Sequence, residues 1–300
     1  MVTHEFGGDW TSEKLACLGE YLHAYTQILR KNPKAQYLTI TYVDAFAGTG
    51  YRSKPRIENQ DALPSMDFDD ADGQSYLKGS ARIALEVEPS FHTYLFIDKN
   101  PLHIQELERM KLDFPFKSFK IRIEQAEANI FLKDWCARTD WKTNRAVVFL
   151  DPYGMQVDWS LIESIAKTKA IDLWWLFPLG MAVNRLLTRD KMPPEEWATA
   201  LTKTFGTDDW KREFYSQTTV QTLFGIEDQL CKRAEFDIIG KFIIDRLKTV
   251  FTAVADEPLQ LCNSRNNPIY LLCFAAGNPT GASTAVKIAK YILERRSSRS

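Results

Sequence analysis

The chain has 300 residues, enough for one α/β domain with insertions, and this is the simplest interpretation. Its 38 basic residues nearly balance 39 acidic ones, so no global field draws it to nucleic acid or to an anionic membrane. Any polyanion must be bound by a local patch. The start MVTHEFGGDW lacks the features of a signal peptide, and no run of about 18 apolar residues occurs, so we expect a cytoplasmic protein.

The cysteines and histidines do not form a metal-binding pattern. The five cysteines are scattered and show no CxxC spacing, so we expect reduced and mostly buried thiols. The four histidines also lack the spacing of metal ligands, and we expect no metal site. The residues concerned are Cys17, Cys136, Cys231, Cys262, Cys273, His4, His23, His92 and His103.

The order of periodic segments predicts a doubly wound α/β sheet. Apolar residues recur at steps of three and four from Ser12 to Arg30, which predicts an N-terminal helix within residues 12–35. Five β-prone segments then follow, most of them with a helical pattern after them: TITYVDAF, HTYLFID, FKIRI, RAVVFLD and IDLWWLF. A helical insertion is predicted over 181–235, and PLQLCNS and NPIYLLCFA predict two late strands. We expect a single domain over 1–300 with about seven mostly parallel strands.

One segment has no sustained periodicity. Residues 51–78 carry a basic run, with Arg52, Lys54 and Arg56, and then the acidic DFDDADG. Such a loop insertion is either a substrate lid or a solvated loop, because long loops in compact domains are often functional. The basic run either meets a phosphate backbone or belongs to that solvated loop.

The stretch YVDAFAGTG predicts a ligand-binding turn after the first strand. Gly48 and Gly50 allow a tight turn and a close approach of the backbone to a ligand. An NAD fingerprint would require glycine in place of Ser53 and a helix directly after it, so a dinucleotide is disfavoured. Asp44 and Phe46 complete the candidate cofactor-binding residues of this turn.

Two further acids follow the next strands. Asp98 occupies the place where Rossmann units bind the ribose hydroxyls, although an acid beside Pro101 also suits the start of a helix whose N-cap is Asn100. Glu127 either meets the adenine amino group, with Asn129 nearby, or only stabilises a helix start.

The sharpest motif is DPYG at the end of the fourth predicted strand. Chemistry on an exocyclic amino group needs two acceptors near its N–H bonds, and the Asp151 carboxylate and the Pro152 carbonyl fit that requirement. Tyr153 fits a stacking role on a planar substrate. The alternative is a strand-ending turn with a core tyrosine. The position at a carboxyl end of the sheet favours the catalytic interpretation.

Several other polar residues have two open interpretations. Asp172, Asn184 and Arg185 either hold loops together or face the substrate. Gly79 and Ser80 open a helix at which an anionic ligand could meet backbone N–H groups, but N-capping by Ser80 explains them equally well. Asp158 fits an N-cap for the helix that follows DPYG.

The motifs together resemble a known group of enzymes. FAGTG, FIDKNP and LDPYG look like motifs I, II and IV of class I S-adenosylmethionine-dependent methyltransferases. The form DPYG is similar to the DPPY-type motif of amino-methylating enzymes and to the DPFG of tRNA guanine-N2 dimethyltransferases. It departs from the first pattern in that only one proline follows Asp151 and the aromatic residue stands one position early.

Almost the whole chain, from about residue 12 to 292, resembles the three-Cys-motif partner protein family. The segments that carry the resemblance are KLACLGEYLHAYTQIL, YVDAFAGTG, GSARIAL, DPYGMQVDW, IDLWWLFPLGMAVNRLLT, FGTDDW and LLCFAAGNPTGASTAVKIA. This resemblance implies a Rossmann-like methyltransferase core, S-adenosylmethionine as cofactor, and a small partner related to phage proteins that carries three cysteines in a radical-SAM-like arrangement.

Two functions follow as hypotheses. The first is a methyltransferase that acts on an amino nitrogen of a nucleobase or nucleic acid by in-line displacement, with Asp151, Pro152 and Tyr153 as catalytic residues. The second is a non-catalytic adaptor that binds a nucleoside and docks the three-cysteine partner. Binding of the cofactor without methyl transfer would favour the adaptor.

Overall fold

The computed structural model describes residues 10–48, 79–222 and 225–297. Gly50, the basic run and the predicted loop insertion over 51–78 lie outside the described residues. Within the described ranges, no helix has the length and apolar character needed to cross a membrane.

A central parallel sheet confirms the five strands predicted in the first half of the chain. Its strands are β1 (Thr39–Asp44), β2 (Thr93–Asp98), β3 (Ile121–Gln125), β4 (Asn144–Leu150) and β5 (Ile171–Phe177). They lie in the order β3-β2-β1-β4-β5. The chain therefore reverses its winding direction between β1 and β4, and such a switch point opens a crevice outside the carboxyl ends of the strands.

The late strands close the other side of the sheet. They are β8 (Ala253–Val254), β9 (Leu259–Cys262) and β10 (Pro268–Ala276). β10 runs antiparallel to β5, and both β8 and β9 pair with the free edge of β10. Because β8 and β9 pair with successive parts of β10, they form one interrupted edge strand. The expected Rossmann-like sheet, mostly parallel with about seven strand positions, is confirmed.

Helices cover both faces of the sheet. They are α1 (Trp10–Lys31), α2 (Ser80–Glu86), α3 (Pro101–Leu112), α4 (Ala128–Arg138), α5 (Trp159–Lys167), α6 (Asn184–Leu186), α7 (Glu195–Phe205), α8 (Asp209–Phe214), α9 (Phe236–Lys248) and α10 (Ala282–Ser297). Helices α1, α2, α3 and α10 pack on one face, and α4, α5, α7, α8 and α9 pack on the other. Alternate side chains of each central strand enter the two cores, as the period of two in a strand requires.

The alternation of side chains along a strand also determines on which face of the sheet a strand-end acid lies. In β4, Val147 and Phe149 enter the core beneath α1, whereas Val148 and Leu150 enter the opposite core. Asp151 continues the first of these series, so its side chain lies on the α1 face of the sheet.

The predicted helix caps have mixed outcomes. Asn100 caps α3 as predicted, because its Oδ1 accepts a hydrogen bond from Leu102 N at 3.0 Å. Asp158 occupies the N-cap position of α5, but its side chain makes no capping hydrogen bond there. The proposed N-cap Ser80 is wrong: Gly79 is the N-cap of α2, and the Ser80 hydroxyl instead hydrogen-bonds the carboxyl group of Asp44.

The segment 181–235 differs from the helical expectation in its second half. After α8, the strands β6 (Tyr215–Thr222) and β7 (Gly225–Lys232) form a separate antiparallel hairpin. The sequence YSQTTVQT is rich in β-branched residues, which favour a strand over a helix.

Trp159 connects three helices on the face opposite α1. It is the first residue of α5, and the Arg246 guanidinium of α9 lies 4.6 Å from its ring centroid. Gly206 ends α7 with φ at 68°, and a Cβ built on it would lie 1.9 Å from Trp159 Cδ1. Only glycine therefore suits this contact, for both its backbone conformation and its lack of a side chain.

We predict that Gly206→Ala lowers the free energy of unfolding by at least about 3 kcal/mol, from left-handed backbone strain and a clash with Trp159. Gly154→Ala is the matched control, because Gly154 has φ at 75° but open space around its Cβ position. We expect that control to lose only about 1 kcal/mol. Urea denaturation of both variants measures the difference. Equal losses in the free energy of unfolding would show that the close contact with Trp159 does not contribute to the effect.

Candidate active site

Three acids gather at the carboxyl edge of the sheet. Asp44 ends β1, Asp98 ends β2, and Asp151 follows β4 directly. Because these strands are neighbours in the order β2-β1-β4, the acids lie together at the switch point, where open α/β sheets bind their ligands. The burial and the hydrogen-bond partners of the three carboxyl groups differ, so they have different chemical capacities.

Asp44 is a buried acid with an unsatisfied oxygen. It is fully buried, and the Tyr42 hydroxyl donates to its Oδ2 at 3.2 Å. Its Oδ1 has no hydrogen-bond partner among the described residues. Burial raises the pKa of Asp44 to about 7; the Ser80 hydrogen bond opposes this rise and the charge of Asp151 adds to it. An unsatisfied buried acceptor costs about 1–3 kcal/mol, so this position favours a ligand that donates a hydrogen bond.

The glycine turn is held in place by Asp98. Gly48 has φ at 59°, and its N–H donates to Asp98 Oδ2 at 3.0 Å. The Asn100 N–H donates to Oδ1 at 2.8 Å, and His103 Nδ1 lies 3.0 Å from Oδ2. Each carboxylate oxygen offers two lone pairs, so one acceptor position remains on Oδ1. The ribose role stays a prediction, with room for one hydroxyl rather than two.

The turn continues the hydrogen bonding of the sheet around Phe46. Ala45 N donates to Phe149 O at 3.2 Å, and Ala47 N donates to Ile97 O at 3.1 Å. These bonds tie the turn to both neighbouring strands, β4 and β2. Phe46 itself is half-buried against the core on the α5 side. Its cofactor-binding role stays a prediction.

Glu127 caps α4 with both of its oxygens. Oε1 accepts from Asn129 N at 3.1 Å, and Oε2 accepts from Ile130 N at 2.8 Å. Burial alone would raise the pKa of Glu127, but the hydrogen bonds from Ile130 and Asn129 outweigh it and lower that pKa. The capping interpretation therefore describes its contacts, and contact with adenine stays a prediction.

The DPYG corner combines a paired acid with an exposed ring. Lys14 of α1 donates from Nζ to Asp151 Oδ2 at 2.5 Å, and Lys14 is only 5% exposed. Pro152 is buried, and no described residue donates to its carbonyl. The Tyr153 side chain is 77% exposed, so it is not the core tyrosine of the alternative interpretation. Among the described residues, none donates to Asp151 Oδ1 or to the Pro152 carbonyl, so both acceptors lack a partner next to the exposed Tyr153 ring.

Two residues of this corner were missed by sequence reasoning. Lys14 lies four residues before Leu18 and eight before Leu22, so it belongs to the buried face of α1. A charged residue on that face was the available signal. Asn129 was noted only as a neighbour of Glu127. Its Nδ2 donates to Gln156 O at 2.8 Å, and its Oδ1 accepts from Asp158 N at 2.9 Å, so it fixes the loop after DPYG.

The remaining polar candidates lie apart from the crevice. Asp172 is at the amino end of β5, the opposite edge of the sheet, so it does not face this site. Asn184 Oδ1 accepts from Lys232 Nζ at 2.6 Å, which ties α6 to the hairpin. For Asn184 the loop-holding interpretation therefore describes the observed contact.

Comparison with known proteins supports the fold. No protein-family model matches the chain, and no curated protein matches it. A solved structure of protein LPL1258 from Legionella pneumophila is similar over 97% of this chain and 92% of its own, with 12% sequence identity and a TM-score of 0.50. This similarity shows the fold alone.

Two further solved structures are less similar to this chain. One is the N-terminal domain of EvdMO1 with SAH bound, at 10% identity, TM-score 0.35, and coverage of 86% of this chain and 80% of that one. The other is an rRNA methylase, so described, from Clostridium thermocellum, at 12% identity, TM-score 0.31, and coverage of 71% and 94%. At these TM-scores neither carries an argument about the activity of this chain.

We predict that Lys14→Met and Asp151→Asn each lower the free energy of unfolding by about 3 kcal/mol, because each leaves a largely buried partner unpaired. The double variant should recover at least about 1 kcal/mol of the summed loss. Arg138→Met is the control, since its ion pair with Asp134 is exposed and should change stability by less than about 0.5 kcal/mol. Strictly additive losses in urea denaturation would contradict a coupling between Lys14 and Asp151.

Proposed function

We propose that the chain is an S-adenosylmethionine-dependent methyltransferase that acts on an amino nitrogen of a nucleobase or nucleic acid. The observation that carries this proposal is the arrangement at the switch point. A buried acid with an unsatisfied oxygen lies at the end of β1, and an open acceptor pair with an exposed aromatic ring follows the neighbouring strand β4.

The donor set of the crevice fits the cofactor. The α-ammonium group of S-adenosylmethionine supplies the N–H donor that Asp44 Oδ1 lacks. Asp98 Oδ1 keeps one acceptor position for a ribose hydroxyl. The positive φ of Gly48 favours glycine, which has no Cβ to obstruct a ligand. Asp44, Phe46, Gly48, Gly50, Asp98 and Glu127 are the proposed cofactor-binding residues.

When bound, S-adenosylmethionine would supply an electrophilic methyl group to the acceptor nitrogen and leave as S-adenosylhomocysteine. Asp151 Oδ1 and the Pro152 carbonyl accept the two N–H bonds of the amine and so direct its lone pair at the methyl carbon. Tyr153 holds the flat base by stacking. Lys14 of α1 holds the carboxyl group of Asp151 in position through Oδ2, so it acts as a positioning residue rather than a catalytic one. After the transfer the positively charged nitrogen would lose one proton to solvent.

The resemblance of the chain to three-Cys-motif partner proteins extends this proposal to a partner. We propose that the enzyme works with a small three-cysteine protein of radical-SAM-like arrangement. Co-expression of the two chains followed by co-purification tests the association, and separate elution at micromolar concentrations would count against it.

The Lys14 contact favours the adaptor as a second function. An ammonium group occupies one oxygen of the proposed catalytic acid, and this ion pair is largely buried. Such a pair also serves a purely structural role in which DPYG anchors α1. In that case the chain binds the nucleoside cofactor but transfers no methyl group, and the three-cysteine partner is its main ligand.

We predict that the affinity for S-adenosylhomocysteine rises with pH and levels off above about pH 7. The cationic ammonium group needs an ionised Asp44, whose pKa of about 7 in the free protein means that a proton must leave first at lower pH. Below pH 7 the dissociation constant should therefore increase by about tenfold for each unit by which the pH falls. Calorimetric titration from pH 5.5 to 8 measures this. Asp44→Asn should bind more weakly and without the slope, and an identical slope in that variant would remove Asp44 from the site.

We predict that Tyr153→Ala reduces kcat/KM for methyl transfer to RNA by at least about tenfold, through the loss of base stacking, and leaves S-adenosylhomocysteine binding unchanged. Tyr291→Ala is the matched control, because Tyr291 is also exposed, at 63%, and lies on α10. Transfer of labelled methyl groups to cellular RNA, DNA and the partner measures the activity. Tight cofactor binding with no transfer by the wild type to any of the three would support the adaptor instead.

A further inference from the structure

A second cavity lies at the amino edge of the sheet, opposite the candidate active site. It has a volume of about 440 Å³, within the range of small-molecule sites. Its walls come from the second half of α1, the turn after it, the starts of β4 and β5, and the first turns of α10. We call it the amino-edge cavity.

The amino-edge cavity contains a buried acceptor. Asp172 lines it and is 7% exposed. Among the described residues, the only hydrogen bond to its carboxyl group comes from the Tyr21 hydroxyl, which donates to Oδ2 at 2.6 Å. Burial raises the pKa of Asp172 to about 7, against the Tyr21 hydrogen bond and the charge of Arg145. A carboxyl group with one partner and four lone-pair positions retains capacity for a ligand N–H.

A donor lines the same cavity. Arg145 also lines the cavity, and its Nη1 donates to the carbonyls of Trp141 at 2.8 Å and Asn144 at 2.7 Å. These bonds fix the guanidinium, while no described residue accepts from its Nη2. The amino-edge cavity therefore offers a fixed donor and a fixed acceptor.

The rest of the wall suits a flat ring. Tyr21 and Tyr25 line the cavity from α1, and Leu29 and Ile288 add aliphatic surface. Tyr25 is itself held against Phe91, with ring centroids 6.0 Å apart and planes inclined by 15°. Aromatic and aliphatic walls around a donor and an acceptor match the chemistry of nucleobases, which present both groups on one rigid edge.

We propose that the amino-edge cavity binds a nucleobase or nucleoside, with Asp172 accepting from an N–H group of the base and Arg145 donating to an acceptor on the same edge. This site is separate from the cofactor crevice, and it does not depend on the chain being a methyltransferase.

The test is calorimetric titration of the full chain with guanosine, adenosine and cytidine in turn, with ribose as a probe that lacks the base. Saturating S-adenosylhomocysteine blocks the carboxyl-edge crevice during each titration. We expect at least one nucleoside to bind with a dissociation constant below about 1 mM, and ribose not to bind. Failure of all three nucleosides would overturn the proposal.

Two tryptophan substitutions on α10 locate the binding. Thr284 is exposed and lines the amino-edge cavity, whereas the neighbouring Ser283 is exposed and does not line it. Thr284→Trp should weaken nucleoside binding by at least about tenfold, and Ser283→Trp should change it by less than about twofold. Both variants should keep the wild-type unfolding midpoint and the same affinity for S-adenosylhomocysteine. Unchanged nucleoside binding in Thr284→Trp would overturn the proposal.

The chemistry of the site is tested by Asp172→Asn, which keeps the size of the side chain and removes its charge. We expect this variant to bind the nucleoside about tenfold more weakly, because the amide offers one acceptor oxygen and a competing donor. Wild-type nucleoside affinity in Asp172→Asn would contradict the role of Asp172. If the wild type does not bind S-adenosylhomocysteine, that result would count against the proposed methyltransferase. Nucleoside binding would still be assigned to the amino-edge cavity by the comparison of Thr284→Trp with Ser283→Trp.

Discussion

Helix α1 is held across the sheet by two buried polar contacts, and both candidate sites depend on them. Lys14 donates to Asp151 at the carboxyl edge, and Tyr21 donates to Asp172 near the amino edge. The two donors are seven residues apart, or about two helical turns and roughly 10 Å. Helix α1 therefore contacts the candidate active site at one end and lines the amino-edge cavity at the other.

Burial of acids beneath α1 determines the electrostatics of the molecule. Asp44 and Asp172 are both buried on this face, and burial raises the pKa of each to about 7. Asp151 remains partly exposed and is paired with Lys14 instead. The α1 face thus combines an acid with an unsatisfied oxygen, an acid with a cation and an acid with a tyrosine.

The crevice and the cavity are related through the same helix but not through the same chemistry. The crevice has open acceptors, a glycine turn and an exposed aromatic ring, as a group-transfer site needs. The amino-edge cavity has a fixed donor and acceptor within an apolar wall, which is an arrangement for binding. A nucleoside at the amino edge would contact Tyr21, and Tyr21 is on the helix that positions Asp151 through Lys14.

Much of the fold was predictable because local patterns report it. The alternation of β-prone segments with helical ones predicted the five parallel strands. β1 and β2 end on an acid, Asp151 follows β4, and Pro178 follows β5. Asn100 was correctly predicted as a cap because its side chain bonds its own neighbouring backbone. The hairpin within 181–235 was not predicted, because its strands pair only with each other and the surrounding tryptophan-rich pattern is helical.

The sequence by itself determined the type of sheet, its carboxyl-edge acids and the DPYG corner, since these depend on the order of residues along single segments. Only the tertiary structure decided what those acids touch. Lys14 reaches Asp151 across 137 positions of sequence, and Tyr21 reaches Asp172 across 151. The edge to which Asp172 belongs, and the switch of Ser80 from a cap to a partner of Asp44, likewise follow from packing α1 and α2 on the sheet. Contacts between distant segments are made by that packing, and no local pattern encodes them.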